Sequence, residues 1–564
     1  MKCLRLTALY TLTIIFASIH SFAQSDYISL QDKQYDLINR IDIKLKKDSV
    51  LRFSSVKSFN RQRITQQLEL IDSLYHEGKL DIELSAMDKY NLDQYFKINS
   101  DWTRTTAHAF VKPRTGGLFN TREHLYITKT KQFSLVVDPL VNLQFGKASE
   151  GSVKTFMNER GIILRGHIDK VIGFYTALTD AQEKDPLYVQ EYVNANNALP
   201  GAGFFKAFQT TGYDHFNARG GITFNTGKYL DLQMAYDKLF IGDGYRSLFL
   251  SDFSSNYFFL RFAMHVGKVH YESIVAETTA PFAWRVQSQH KALPQNYMTL
   301  HHLSWQVSRK FNLGLYENVM ESGVDGFKPN YLNPLTFIKA VEQDNGIAGK
   351  TNIGIDFKWN AYNNVQLYGQ VLFNELYLNE VLHYSRGSWL NKQALQLGAK
   401  YIDAFGVKNL DVQMEANLVR PFVYTNSDSS TNLTNFNQPF AHPLGANFRE
   451  VLAIAKYQPI PKLYLTAKVF YYEKGLDTAG INYGDDIFRS YFSRPFDNGY
   501  HIGIGRLTKN IFSSFSASYE ILPNFFVDAN LSYRRVNLMG ALPKNETMFS
   551  AGVRWNLARR DFEF

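Results

Sequence analysis

Residues 473–512 gather the side chains best suited to holding a sugar polymer. Tyr483, Phe488, Tyr491, Phe492, Arg494, Phe496 and Tyr500 are interleaved there with Asp485, Asp486, Asp497 and Asn498. Aromatic rings stack on the C–H faces of sugars, while carboxylate, amide and guanidinium groups bond their hydroxyls. The same composition would let the rings pack on one another and fold the loop over whatever lies beneath. Both roles are open at this point, and the glycan-contact candidates are Tyr483, Phe488, Tyr491, Arg494 and Tyr500. Arg246, in Gly242-Asp243-Gly244-Tyr245-Arg246, is a further candidate. Its planar guanidinium could clamp an acidic sugar, or pair with Asp243 or Asp252 to hold its own loop. The two glycines read as a turn, because no helix or Gly-Lys-Ser/Thr follows as a phosphate loop requires.

Catalytic chemistry finds less support. His215, His301, His302 and His442 could serve a hydrolytic centre at a barrel rim, but none sits in a nucleophile motif. His301 and His302 begin a strand, where adjacent side chains face opposite ways and cannot chelate one metal together. The single cysteine, Cys3, precedes the apolar run of the leader, so the mature chain has no thiol nucleophile, disulfide or cysteine-bound metal. No catalytic, metal-binding or cofactor-binding residue is assigned, and the chain reads as a non-enzyme. The formal charge is +9, but the basic residues are dispersed, which argues against a nucleic-acid partner.

The elements that must position these groups are strands. Phe525, Val527, Ala529, Leu531 and Tyr533 alternate with Phe526, Asp528, Asn530, Ser532 and Arg534, and Phe549 to Leu557 repeats the pattern. A period of two gives each segment one apolar and one polar face, as in a barrel strand turned to lipid outside and to the lumen inside. From Phe133 onward such segments come in pairs joined by tight turns, among them Asp169-Lys170, Gly227-Lys228, Gly267-Lys268, Arg309-Lys310 and Pro523-Asn524. Between pairs lie long polar and aromatic loops, at 179–218, 319–350, 419–447 and 473–512. Short and long connections therefore fall at opposite ends, as expected for periplasmic turns and extracellular loops, and the count is about eighteen strands. Inward-facing Asp356, Lys358, Asp411, Glu415, Lys456, Lys468, Glu520, Asp528 and Arg534 carry both signs, which suits a plug of ion pairs better than a selective pore. Phe562 and Phe564 are out of phase with Phe549 to Leu557. Either a bulge near Arg559-Arg560 carries the strand on to an aromatic end like the sorting signal of outer-membrane barrels, or the strand stops at Leu557.

The first hundred residues differ. Residues 1–23 read as a secretory signal peptide: Lys2 and Arg5, an apolar run through Leu12, Ile14, Ile15 and Phe16, then Ser21-Phe22-Ala23. Residues 24–100 read as a small, mainly helical periplasmic domain. Arg40-Ile41-Asp42-Ile43-Lys44-Leu45 alternates and predicts a short strand. Ile64, Leu68, Ile71 and Tyr75 predict a helix capped by Asn60 or Ser58 and stopped at Gly78. Ser85 followed by Asp88 predicts a second helix running to Ile98. Residues 101–564 form the barrel.

Several loop-edge stretches resemble the Wzi/RemB superfamily of outer-membrane barrels. They are Ile241-Gly242-Asp243-Gly244-Tyr245-Arg246-Ser247-Leu248-Phe249-Leu250-Ser251-Asp252, Asn330-Tyr331-Leu332-Asn333-Pro334, His442 to Glu450, and Asn482-Tyr483-Gly484-Asp485-Asp486-Ile487-Phe488. The resemblance is closer to the RemB branch, found in gliding Bacteroidota, than to the capsule-assembly branch. It implies an eighteen-stranded barrel with a periplasmic helical domain and, for the capsule branch, binding of surface polysaccharide. The expectation is an outer-membrane protein that binds or organises exopolysaccharide or adhesive components in gliding motility or capsule assembly. Its partners would be outer-membrane lipid, surface polysaccharide and periplasmic or surface proteins. The competing reading is a porin or solute transporter.

Overall fold

The computed structural model describes residues 26–564 except 31, 46–54, 81, 105–120, 122, 170, 226–228, 282–292, 346–350 and 376. The expected leader, Cys3 and the Gly227-Lys228 turn lie outside the described residues. Eighteen antiparallel strands close into one barrel. In chain order they are β1 (Phe133–Ala148), β2 (Lys154–Ile168), β3 (Ile172–Lys184), β4 (Gly212–Asn225), β5 (Leu230–Asp237), β6 (Tyr257–Val266), β7 (Val269–Thr279), β8 (Gln295–Gln306) and β9 (Phe311–Ser322). They continue as β10 (Asn352–Tyr362), β11 (Val365–Asn374), β12 (Gln393–Tyr401), β13 (Leu410–Val419), β14 (Phe448–Ile460), β15 (Leu463–Leu476), β16 (Arg506–Leu522), β17 (Phe525–Leu538) and β18 (Lys544–Trp555). The seam runs from Val141 opposite Trp555 to Ala148 opposite Met548.

The alternation read from sequence explains the closure. Met234, Leu260, Leu315, Ile355, Leu397, Phe515, Leu531 and Phe549 stand exposed on the outer wall. A wall of this composition belongs in hydrocarbon, where backbone groups can bond only one another and an open sheet edge is not tolerated. Asp356, Lys358, Glu415, Lys468, Glu520 and Asp528 point inward and are buried. Each finds a partner inside the barrel or along its wall.

Three segments supply those partners. At the short-turn end sit α1 (Gln34–Leu45), α2 (Arg61–His76) and α3 (Ala86–Ile98) around Ile38, Ile41, Leu68, Ile71, Leu92 and Phe96. The strand expected at Arg40–Leu45 is instead the end of α1. Leu37, Ile38, Ile41 and Leu45 bury one helical face in this core, and the short alternation of Ile41 and Ile43 falls within that longer period. The other two helices start as expected, α2 with the Asn60 side chain accepting from the Arg63 N–H and α3 with a Ser85–Asp88 capping box. Gly78, at φ +67°, follows the end of α2, where the left-handed turn favours glycine. The helices dock through ion pairs to the wall: Lys33 to Glu520, Arg40 to Asp411, Asp36 to Lys456 (2.6 Å), Asp42 to Lys358 (3.2 Å) and Arg63 to Asp231 (2.9 Å).

From the other end the 238–256 connection dips into the lumen. Phe240–Ile241 pairs there with Val56–Lys57 as a two-stranded antiparallel ribbon. Glu415 on the wall accepts from the backbone N–H groups of Tyr245 (2.8 Å) and Arg246 (3.1 Å).

The third segment is 556–564. β18 ends at Trp555, so the bulge does not form and the strand stops slightly before Leu557. The chain then leaves the wall and enters the lumen. Lys468 pairs with Asp561 (2.7 Å) and Glu563 (2.5 Å), and Arg560 with Glu183 (2.8 Å). Phe564 packs against Tyr188, Tyr192 and Phe253. Phe562 and Phe564 are thus inside the barrel, out of phase with the last strand because they are no longer part of it.

Candidate functional site

At the long-loop end, connections 375–392, 420–447 and 477–505 fold together. Asn447, held at φ +60°, fixes their relative height. Its amide donates to the carbonyls of Gly475 (2.9 Å) and Ile504 (2.8 Å) and accepts from the Gly503 N–H (2.8 Å). Asn482 donates to the Ser490 carbonyl (3.1 Å) and the Ser493 hydroxyl (2.8 Å), and accepts from the Gly484 N–H (2.9 Å). Gly484 has φ +88°, and a Cβ there would lie 2.7 Å from the Phe422 nitrogen, so this crossing of two loops requires glycine. His442 meets Glu450 at 2.9 Å beneath the loops. The stretches at 442–450 and 482–488 are therefore girders of the rim.

The six glycan-contact candidates separate. Tyr500 is fully buried, stacked on Phe496 at 4.5 Å and edge-on to Phe422 at 5.0 Å. Phe488 packs against the upper core, and Tyr483 lies 6.4 Å from the Phe496 ring. These three hold the loop. Arg246 lies in the lumen, its guanidinium 2.8 Å from the Glu563 carbonyl and 5.0 Å above the Phe470 ring. The pairing expected with Asp243 or Asp252 gives way to Glu450 at 3.5 Å.

Tyr491 and Arg494 do come together, on a partner the aromatic loop does not contain. The Arg494 guanidinium lies 3.9 Å above the Trp389 ring, and Trp389 is 4.7 Å from Tyr491. Lys392 caps the pair, with Nζ 4.1 Å above Tyr491 and 5.1 Å above Trp389. Asp497 binds Arg494 at 2.7 Å, and its backbone carbonyl accepts from the Trp389 N–H at 3.0 Å. Beside this stack Phe492 stands 70% exposed and Phe496 40% exposed, the two rings of the loop most open to a ligand. Exposed aromatic faces beside a fixed guanidinium and carboxylate can stack on a sugar and bond its hydroxyls. Trp389 was missed in the sequence because it stands alone, with no aromatic periodicity around it.

Burial raises two carboxyls of the loop, Asp486 and, further, Asp477. Burial first, then the neighbouring Asp485 carboxylate, push Asp477 up to about 7, although Arg489 lies 3.1 Å away. The candidate catalytic histidines are dispersed among different carboxylates: His215 at Glu183, His301 at Glu317, His302 at Asp356 and His442 at Glu450. Among the described residues no group of three or more His, Cys, Asp or Glu is arranged to hold a metal. At the opposite end, a cavity of about 100 Å³ lies between the helices and the wall, lined by Lys33, Asp36, Arg40, Asn91, Lys456 and Tyr464.

No family model and no curated protein matches the chain. Among solved structures, it is similar to Wzi of Escherichia coli, described as a carbohydrate-binding β-barrel of the outer membrane involved in group 1 capsule assembly. The TM-score is 0.54 at 12% identity, covering 95% of this chain and 100% of that one. Pseudomonas aeruginosa OprD matches with a TM-score of 0.41 at 9% identity over 75% of this chain and 94% of that one. Pseudomonas aeruginosa OpdK with vanillate matches at 0.42 and 7% identity over 74% and 98%. The likeness to Wzi, spanning nearly the whole of both chains, places this protein among closed β-barrels of that architecture.

Proposed function

We propose that the chain is an outer-membrane barrel of the RemB-like kind that acts at the cell surface without catalysis. It binds or organises exopolysaccharide or adhesive components, in gliding motility or capsule assembly, with its long loops outward and its helices in the periplasm. The ligand surface is the rim formed by Phe492, Phe496, Trp389, Tyr491 and Arg494. The observation that carries this reading is the division of labour between lumen and rim. The helices, the 238–256 connection and residues 556–564 enter the lumen from its two ends and bond to its wall and to one another, which supports a binding protein over a solute channel. Exposed rings and charges gather instead around Trp389.

Two measurements test this together. In planar bilayers the purified protein should show no stable single-channel conductance, and open channels would favour a porin. Retention of the cell's own surface polysaccharide should fall at least about tenfold in Trp389→Ala with Phe492→Ala, since stacked rings in other recognition sites contribute about 1–3 kcal/mol each. Unchanged retention with an intact barrel would remove this rim from the binding surface.

A further inference from the structure

The outer wall breaks its apolar rule across β7, β8 and β9. Ser273, His301 and Glu317 stand opposite one another on these three strands, and Thr299 opposite Val319 and Tyr297 opposite Glu321 continue the stripe upward. They face outward. Tyr316 stacks on Phe249 inside the lumen at 4.2 Å, so its neighbour Glu317 points the other way, as do the exposed Leu303 and Leu315. Yet Ser273, Thr299, His301, Glu317 and Glu321 are buried.

What buries them is the 323–345 segment, read from sequence as part of an extracellular loop. It doubles back along the outside of the barrel. The Tyr271 hydroxyl, third residue of β7 from the short-turn end, donates to the Pro334 carbonyl. The chain then climbs as α4 (Ile338–Asp344), whose first N–H donates to Glu317 at 3.1 Å. Ile338 and Val341 pack with Val319 and Tyr331, and Glu342 accepts from the Thr351 hydroxyl (2.6 Å) at the top of β10. His301 Nδ1 is 2.9 Å from Glu317. On the far side of the segment Leu332, Phe337 and Leu335 are exposed, Leu335 by 83%.

We propose that residues 323–345 are a membrane-embedded strap that binds bilayer hydrocarbon through Leu335 and Phe337 while screening the His301–Glu317 pair from it. Charged groups facing acyl chains cost several kcal/mol, and a cover apolar outside and hydrogen-bonding inside removes that cost. Acyl chains are the occupant because the exposed side chains continue the lipid-facing band of Leu303, Leu315 and Ile355 on the strands beneath. Of the exposed polar residues, Gln343 and Asp344 lie at the rim end, Asn330 donates to Asn345 beside them (2.8 Å), and Asn333 accepts from the Leu335 N–H (3.1 Å).

Single-cysteine labelling tests the proposal directly, because Cys3 is the sole cysteine. Leu335→Cys and Phe337→Cys, each in a Cys3→Ala background, are labelled with an environment-sensitive fluorophore and reconstituted into phosphatidylcholine vesicles. Asn498→Cys on the rim is the aqueous reference. Folding of each variant is checked by heat-modifiable migration, and since both positions are exposed, a cysteine there disturbs no packing. The strap labels should be quenched several-fold more by doxyl-labelled acyl chains than by iodide, with the reverse at Asn498. Iodide quenching at Leu335 and Phe337 equal to that at Asn498 would overturn the proposal. So would quenching by neither agent, which would mean that protein covers the face.

Discussion

Lys468, on the barrel wall, holds Glu563 at 2.5 Å and Asp561 at 2.7 Å from a segment that has left that wall. Tyr245, from the 238–256 connection, bonds both Glu563 and Lys468. One ammonium group thus ties together a strand, an inserted loop and residues 556–564. Lys468→Met should cost about 3–5 kcal/mol, because a buried carboxylate loses its counter-charge. Lys468→Met combined with Glu563→Gln should recover part of that loss. Unfolding in lipid vesicles measures these variants and Glu563→Gln alone, and a double-variant cost equal to the sum of the two single costs would mean that the pair is not coupled.

The outer face makes a contrasting prediction. Leu531 lies opposite Phe515 and Phe549 on neighbouring strands, and all three are exposed. Leu531→Arg should cost about 2–4 kcal/mol near the bilayer midplane, less near an interface, while Leu531→Ile should stay under about 1.5 kcal/mol. The same vesicle assay compares them.

The helical domain should release at low pH. Burial raises the Asp88 carboxyl, but Arg40 and Lys44 outweigh it and hold it at about 2, below its ordinary 3.8. A group depressed in the folded state stabilises it above the ordinary value, and that contribution is lost as pH falls from about 4 to 2. Protease release of the 26–104 region should rise over that window. Asp88→Asn should release it already at neutral pH, since Arg40 and Lys44 lose a partner and α3 part of its capping box.

At the rim the sign reverses. Asp477, near 7 in the folded loop, binds its proton more tightly there than in the unfolded chain. Its contribution is full at low pH and is lost as pH rises from about 4 through 7. Limited proteolysis should cut the 477–505 connection more slowly at pH 5 than at pH 8, and Asp477→Asn should flatten that difference.

Strand periodicity and capping were legible because both are written within a few residues. Phe525 to Leu531 announces its facing by alternation, and Ser85 with Asp88 announces a helix start. Arg40 to Leu45 misled because six residues contain too little of a helical period to outweigh two alternating isoleucines. The rim stack was half legible: Tyr491 and Arg494 stood out, but Trp389 and Lys392 arrive from another loop. The strap left a trace in Leu315-Tyr316-Glu317, where a charge falls on the lipid-facing phase, but only the fold shows what covers it.

The Val56–Lys57 ribbon with Phe240–Ile241 has a consequence for assembly. Its two strands lie far apart in sequence, and they meet inside a cylinder whose seam joins β1 to β18. A wall that closed first would leave the helical domain and residues 556–564 to enter through the ends of the cylinder. The pairing of β1 with β18 brings the two ends of the strand order together, so the sealing of that seam is expected to be a late, slow event in folding.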